Sequence, residues 1–124
     1  QEHNGLRDWL IGHDHRITYD WTTHGPVYSR GLEAVREISV KEAQGISDAD
    51  FVIILWPGGR GTHVELGMAI ALGVAIFMMT PIYEHRIATK ETCIFYHHPR
   101  VSLSCSVREL RMQLLDFMIE ANTP

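Results

Sequence analysis

The sequence predicts an α/β fold built on a mainly parallel sheet. Two continuous apolar runs, Phe51 to Trp56 (FVIILW) and Val74 to Met79 (VAIFMM), have strand length and no polar alternation. That is the pattern of strands covered on both faces, as in parallel sheets. Helical stretches flank and separate them, and strands alternating with helices form βαβ units. With 124 residues, 45% of them hydrophobic, the sequence has the size and apolar content of one small domain with one core.

Taken in order, residues Gln1 to Gly12 read as a helix with Leu6, Trp9 and Leu10 on one side. Arg16 to Trp21 (RITYDW) is rich in β-formers and reads as a strand, followed by the polar loop THGPVYSRG. Gly31 to Ser47 reads as a helix, because Leu32, Val35, Ile38, Ala43 and Ile46 fall on one stripe at helical spacing. After FVIILW, Thr62 to Gly73 is the next helix. Its apolar residues lie nearly all round, which predicts a largely buried helix. Thr92 to Tyr96 and Val101 to Ser104 are the remaining expected strands. The last helix opens with Ser106-Val-Arg-Glu109, a capping-box pattern, and turns Val107, Leu110, Leu114 and Phe117 inward. The whole is a single-domain, three-layer sandwich of Rossmann or flavodoxin-like type, with about five strands.

The bulk numbers exclude some partners. A net charge of -4 argues against nucleic acid or an anionic membrane, both of which reward a basic surface. Cys93 and Cys105 form no CxxC pair and are too few for a disulfide scaffold, which fits a reducing cytoplasm. No apolar run reaches the roughly 18 residues that a membrane span needs. The eight histidines form no HExxH or Cys-His pattern, so a metal is not expected.

The chemistry is concentrated in PGGRGTHVELG, Pro57 to Gly67. In open parallel sheets ligands bind past the carboxyl ends of strands, and this loop follows FVIILW. Gly58, Gly59 and Gly61 allow positive φ and close approach to the backbone. Their N–H groups, with those opening the next helix and the positive end of its dipole, make an anion site suited to a phosphate. Arg60 adds charge at the rim. Thr62-His-Val-Glu65 also has capping-box spacing, so Thr62 could serve as a cap instead. Glu65, placed in the first turn, is favoured in its ionised form by the dipole. A partly desolvated carboxylate beside an anion site has the character of a nucleophile. Glu42 interrupts the apolar stripe of its helix. Such an acid either snorkels or pairs with an arginine, or it has a task. Two inward acids near an anion site suggest chemistry at an acetal-like carbon, one attacking and the other orienting the sugar or handling a proton. Trp21, Tyr28 and Trp56 are placed either to stack on a base or to pack in the core. Asp20 is a candidate contact to sugar or base. His63 either faces the site or lies on the surface, and Arg30, Arg86 and Arg100 read as solvated charges.

These residues resemble the nucleoside 2-deoxyribosyltransferase family from about Glu42 to Met79, and more loosely to the end of the chain. Its pattern is an Ala-Asp before an apolar strand, a Gly-rich loop, then Glu-Leu-Gly-x-Ala and a later glycine. Here these are Ala49-Asp50, Pro57 to Thr62, Glu65-Leu66-Gly67-Met68-Ala69 and Gly73. PGGRGTHVE is similar also to the PGGxGTxxE motif of lonely-guy type phosphoribohydrolases, which carry a further upstream glycine motif not found here. The resemblance implies an enzyme, without cofactor, that cleaves or transfers the N-glycosidic bond of a (deoxy)nucleoside or its 5′-monophosphate. Glu65 would be the nucleophile at C1′, and Glu42, standing where the family has an aspartate, the assisting acid.

Transferases proper can carry an aspartate at the place of Gly59. The loss of that charge, with the phosphate-binding role of the places of Gly59 and Gly61 in relatives that hydrolyse nucleoside monophosphates, implies a nucleotide substrate. Family members are commonly oligomers, so a cytoplasmic homo-oligomer is implied; exposed Val40 is compatible with an interface. The family's domain opens with a strand that would precede Gln1. The alternative reading is a nucleotide-binding or sensing module on the same fold, without turnover.

Overall fold

In the computed structural model the described residues are 2–13, 28–56 and 59–121. They form two compact units, Gln1–Ala49 and Asp50–Pro124. The expected strand at Arg16 to Trp21, together with Asp20 and Trp21, lies outside the described residues, as do Pro57 and Gly58.

The first unit holds helix α1 (Glu2–Gly12), a 3-10 turn (Tyr28–Arg30) and helix α2 (Leu32–Ser47). In α1, Leu6 and Leu10 are buried, and His13 closes the end by placing Nδ1 2.8 Å from the Trp9 carbonyl. Helix α2 starts at Gly31, whose φ of 95° suits glycine. It stops at Asp48, whose N–H reaches the Gln44 carbonyl and whose carboxylate accepts from Gln44 Nε2 at 2.9 Å. Its expected stripe is only partly realised. Ile46 is buried and Val35, Ile38 and Ala43 are half-buried, but Leu32 at the first turn is 64% exposed. Val40 is exposed, as expected.

The second unit is a parallel sheet of three strands in the order β1 (Phe51–Leu55), β2 (Ala75–Met79), β3 (Val101–Ser104). Helix α3 (Arg60–Leu72) joins β1 to β2, and helix α4 (Val107–Ala121) follows β3. The register pairs Phe51 with Ala75, Ile53 with Phe77 and Phe77 with Ser102. One sheet face therefore carries Phe51, Ile53, Phe77 and Met79, and the other Val52, Ile54, Ile76 and Met78. Both faces of β2 are buried, as the unbroken apolar run required: Ile76 is 0% exposed and Phe77 4%. Helix α4 covers the first face. Phe117 sets its ring edge-on to Phe51 and Phe77 at 5.8 and 5.3 Å, while Leu110 and Leu114 are fully buried.

Among the described residues the sheet has three strands, where about five were expected. One difference is physical. Thr92 to Tyr96 is no strand; Ile94–His97 is a 3-10 turn. Ile94 and Phe95 point outward, at 76% and 53% exposure, and Tyr96 alone is buried. Thr92 instead donates its hydroxyl to the His85 carbonyl. The residues have β-propensity, but pairing and burial decide whether that propensity is used.

Helix ends explain most of the remaining geometry. At the start of α4, the Glu109 N–H donates to Ser106 Oγ at 3.1 Å, and the Glu109 carboxylate accepts from Cys105 N–H at 3.1 Å. This is the expected box, with the return bond one residue earlier. Helix α3 ends at Gly73, left-handed at φ 74°. Val74 N–H reaches Ala69 O and Gly73 N–H reaches Ile70 O, the Schellman pair of bonds. Helix α3 is not largely buried: Leu66 and Ala69 are inside, but Val64 and Leu72 are 58% and 56% exposed.

Leu114→Ala, at a site with 0% exposure, should cost about 2–5 kcal/mol of unfolding free energy in a urea titration. Leu72→Ala on the open side of α3 should cost less than about 1 kcal/mol. Equal losses would contradict this assignment of core and surface.

Candidate functional site

Parallel strands finish at one edge of the sheet, so the residues following β1 and β2 meet there. Trp56 follows β1 directly, with its N–H on the Met79 carbonyl at 2.9 Å. Thr80 follows β2 and is fully buried, with its N–H on the Ser104 carbonyl at 2.9 Å. Beyond them come Gly59 and the first turn of α3 on one side, and His85 and Tyr96 from the β2–β3 connection on the other.

The loop's amides are arranged by the helix start. Gly59 is the N-cap of α3, with φ -100° and ψ -154° and no side-chain cap bond. Thr62 is therefore not the cap; it is the third residue of the helix. The first intrahelical bond runs from His63 N–H to the Gly59 carbonyl. The N–H groups of Arg60, Gly61 and Thr62 precede that bond and have no partner further up the helix, the condition for binding an anion. Neither Gly59 nor Gly61 has positive φ. What their missing side chains provide is room: a Cβ at either position would meet nothing within 4 Å. Arg60 is exposed at this rim.

Glu65 is in the second turn rather than the first, and no acid occupies the first turn of α3. The dipole acts mainly within the first turn, so it does less for Glu65 than the sequence implied. Geometry does more. Residues three and four apart share a helix face, and side chains lean toward the amino end. Half-buried Glu65 shares a helix face with Gly61 and Thr62. The distance along the axis from Gly61 is about 6 Å. Glu42 is half-buried on α2, in the other unit. Trp56 is half-buried with its ring nearly perpendicular to His85, 4.5 Å between centroids. Tyr28 begins the 3-10 turn before α2.

A buried polar cluster behind the loop escapes the sequence patterns. His85, 9% exposed, places Nδ1 3.1 Å from Thr80 Oγ1, and that oxygen also accepts the Ile82 N–H. Tyr96, 3% exposed, lies 5.8 Å from the His85 ring, and its hydroxyl is 2.7 Å from His63 Nε2. His63 also places Nδ1 2.8 Å from the Gly59 carbonyl. It is thus exposed on one side and engaged at both ring nitrogens. A signal existed: a threonine closing an unbroken apolar strand must bring a buried hydroxyl that needs partners.

Two of the three arginines are more than solvated charges. Arg100 Nη1 donates to the Gly73 carbonyl at 3.0 Å, and Arg86 stands 5.7 Å from the Tyr83 ring; Arg30 is exposed.

The open face of α3 carries a shallow apolar groove of about 510 Å³, running past Val64, Gly67 and Ala71 with Cys93 and Phe95 opposite. Glu65 is not part of its wall. Among the described residues no three His, Cys, Asp or Glu side chains converge as a metal-binding group, and no helix is long and apolar enough to cross a membrane. No protein-family model matches the chain, and no curated protein matches it.

Burial, with a smaller contribution from Cys93, raises the Tyr96 hydroxyl above its ordinary pKa of 10.0. The folded state therefore resists ionisation that the unfolded chain permits. The stabilising difference is intact below about pH 10 and is lost as pH rises through the higher folded value. An ultraviolet titration should show Tyr96 ionising above the ordinary tyrosine value. Tyr96→Phe should remove that step and flatten the fall of stability in alkali.

Proposed function

We propose that this protein cleaves or transfers the N-glycosidic bond of a nucleoside 5′-monophosphate or related (deoxy)nucleoside. The observation that carries the reading is the start of α3: an N-cap glycine without a capping side chain, three amides ahead of the first helical bond, and open space at Gly59 and Gly61. That arrangement suits an anionic group approaching the backbone. Glu65 lies on the same helical face, where the sugar of a phosphate-anchored nucleotide would reach.

In this reading Gly58, Gly59, Arg60, Gly61 and Thr62 hold the phosphate. The Glu65 carboxylate attacks C1′, and the C1′–N bond breaks with its electron pair going to the base, which takes a proton from the assisting acid or from water as it leaves. A glycosyl ester on Glu65 results. Water or a second base then attacks C1′ and returns the free carboxylate. Glu42 keeps, from the sequence pattern, the role of assisting acid. Trp56, Asp20 and Trp21 are the proposed contacts to base or sugar. The same reading takes the protein as a cytoplasmic homo-oligomer that needs no cofactor.

Incubation with a panel of nucleosides and nucleoside 5′-monophosphates should release free base, read by chromatography. Glu65→Gln should lower the rate by about four orders of magnitude or more and leave binding intact. Turnover retained by that variant removes Glu65 from the mechanism, and tight binding with no cleavage of any panel member favours a sensing module. Gly59→Asp separates the phosphate from the fold. Aspartate is a good N-cap and its Cβ has room, so the helix should gain a few tenths of a kcal/mol. A carboxylate there should nevertheless weaken monophosphate binding roughly tenfold or more, with little effect on the nucleoside. Unchanged monophosphate affinity would place the phosphate elsewhere.

A further inference from the structure

We propose that His63 is a positioning residue for the glycine loop, held as a strut between the Gly59 carbonyl and the Tyr96 hydroxyl; this rests on the reading that the loop receives the anionic end of the substrate. The bonding fixes the protons. A carbonyl oxygen can only accept, so His63 Nδ1, 2.8 Å away, carries the ring proton. In the neutral ring Nε2 then has a lone pair, and the Tyr96 hydroxyl, 2.7 Å away, donates to it. The raised pKa of that hydroxyl keeps the phenol available as the donor. Tyr96 is itself immobilised by burial and by the His85 ring, which Thr80 and Trp56 hold in turn.

The strut meets the loop at a sensitive point. The Gly59 carbonyl is the N-cap carbonyl of α3 and takes the His63 N–H at 3.3 Å as well as the His63 ring. The peptide plane that carries this oxygen also carries the N–H of Arg60, the first of the three free amides. Fixing the oxygen therefore fixes the direction of that N–H. Glycine at the cap leaves the backbone little stiffness of its own, and no cap side chain supplies any. The ring of His63 provides it from the next turn, and anchors it to the β2–β3 connection rather than to α3 alone. Residues 63 and 65 project from opposite sides of the helix. His63 therefore sets the loop without occupying the Glu65 face.

Long-range nitrogen NMR of the His63 ring reads the strut directly, whether or not any substrate is found. A protonated Nδ1 and an unprotonated Nε2 are expected; the reverse tautomer, or a freely exchanging mixture, overturns the proposal. Tyr96→Phe keeps the ring and removes the donor. In that variant the amide resonances of Gly59, Arg60 and Gly61 should move while those of α4 stay in place. Monophosphate affinity by calorimetry should fall roughly three- to tenfold, the scale of one hydrogen bond, and nucleoside affinity should not. His63→Gln, which retains a donor and an acceptor, should lose less than His63→Ala. If the wild type binds monophosphates and Tyr96→Phe binds them equally, the strut is refuted. If the wild type binds no nucleotide, the proposed function fails, and the amide and tautomer measurements still decide whether His63 positions the loop.

Discussion

Parallel pairing of β1, β2 and β3 is the constraint on which the candidate site depends. The register carries Leu55 beside Met79 and Met79 beside Ser104, so three chain segments leave the sheet at one level. Apolar side chains fill both faces below that level. The groups that cannot be buried without partners appear at the rim, and they find one another there: Thr80 with His85, Tyr96 with His63, His63 with Gly59. Hydrophobic burial decides the height of the rim, and hydrogen-bond satisfaction decides its arrangement.

The start of α3 shows two local preferences in competition. Thr62 and Glu65 have the spacing of a capping box, and a cap at Thr62 would have consumed amides near the loop. The helix instead begins three residues earlier, with Gly59 as its cap. The extra residues carry the free amides out to the loop and move Glu65 into the second turn. A tighter cap would stabilise the helix more, yet would leave fewer donors facing outward. The structure keeps the donors and steadies the loop through His63.

Much of the fold was legible because its signals are strong and local. FVIILW, VAIFMM and VSLS became strands, and the Ser106–Glu109 box and the Leu110, Leu114, Phe117 stripe placed α4 with its inner face. The misreadings share one cause: tertiary context chose among options that sequence left open. Ile94 and Phe95 look like strand residues but lack a partner strand. Val64 and Leu72 look like core but stand on the open side of α3. Leu32 fits the stripe of α2, yet begins the helix where little covers it. In the candidate site, the loop and Glu65 were visible from glycine spacing and an acid in an apolar run. His63, His85 and Tyr96 were not distinguished, because their contacts cross between α3 and the β2–β3 connection, and no short pattern records a bond spanning 33 residues.

At the opposite end of the sheet, Arg100 lies just ahead of β3 and grips the carbonyl of the turn between α3 and β2. Its guanidinium also lies 3.6 Å from where a side chain at Gly73 would begin. The base of the unit is thus tied by a contact that owes nothing to the loops at the other end of the sheet. Substitutions in the loops at the far end therefore leave this tie between β3 and the α3–β2 turn in place.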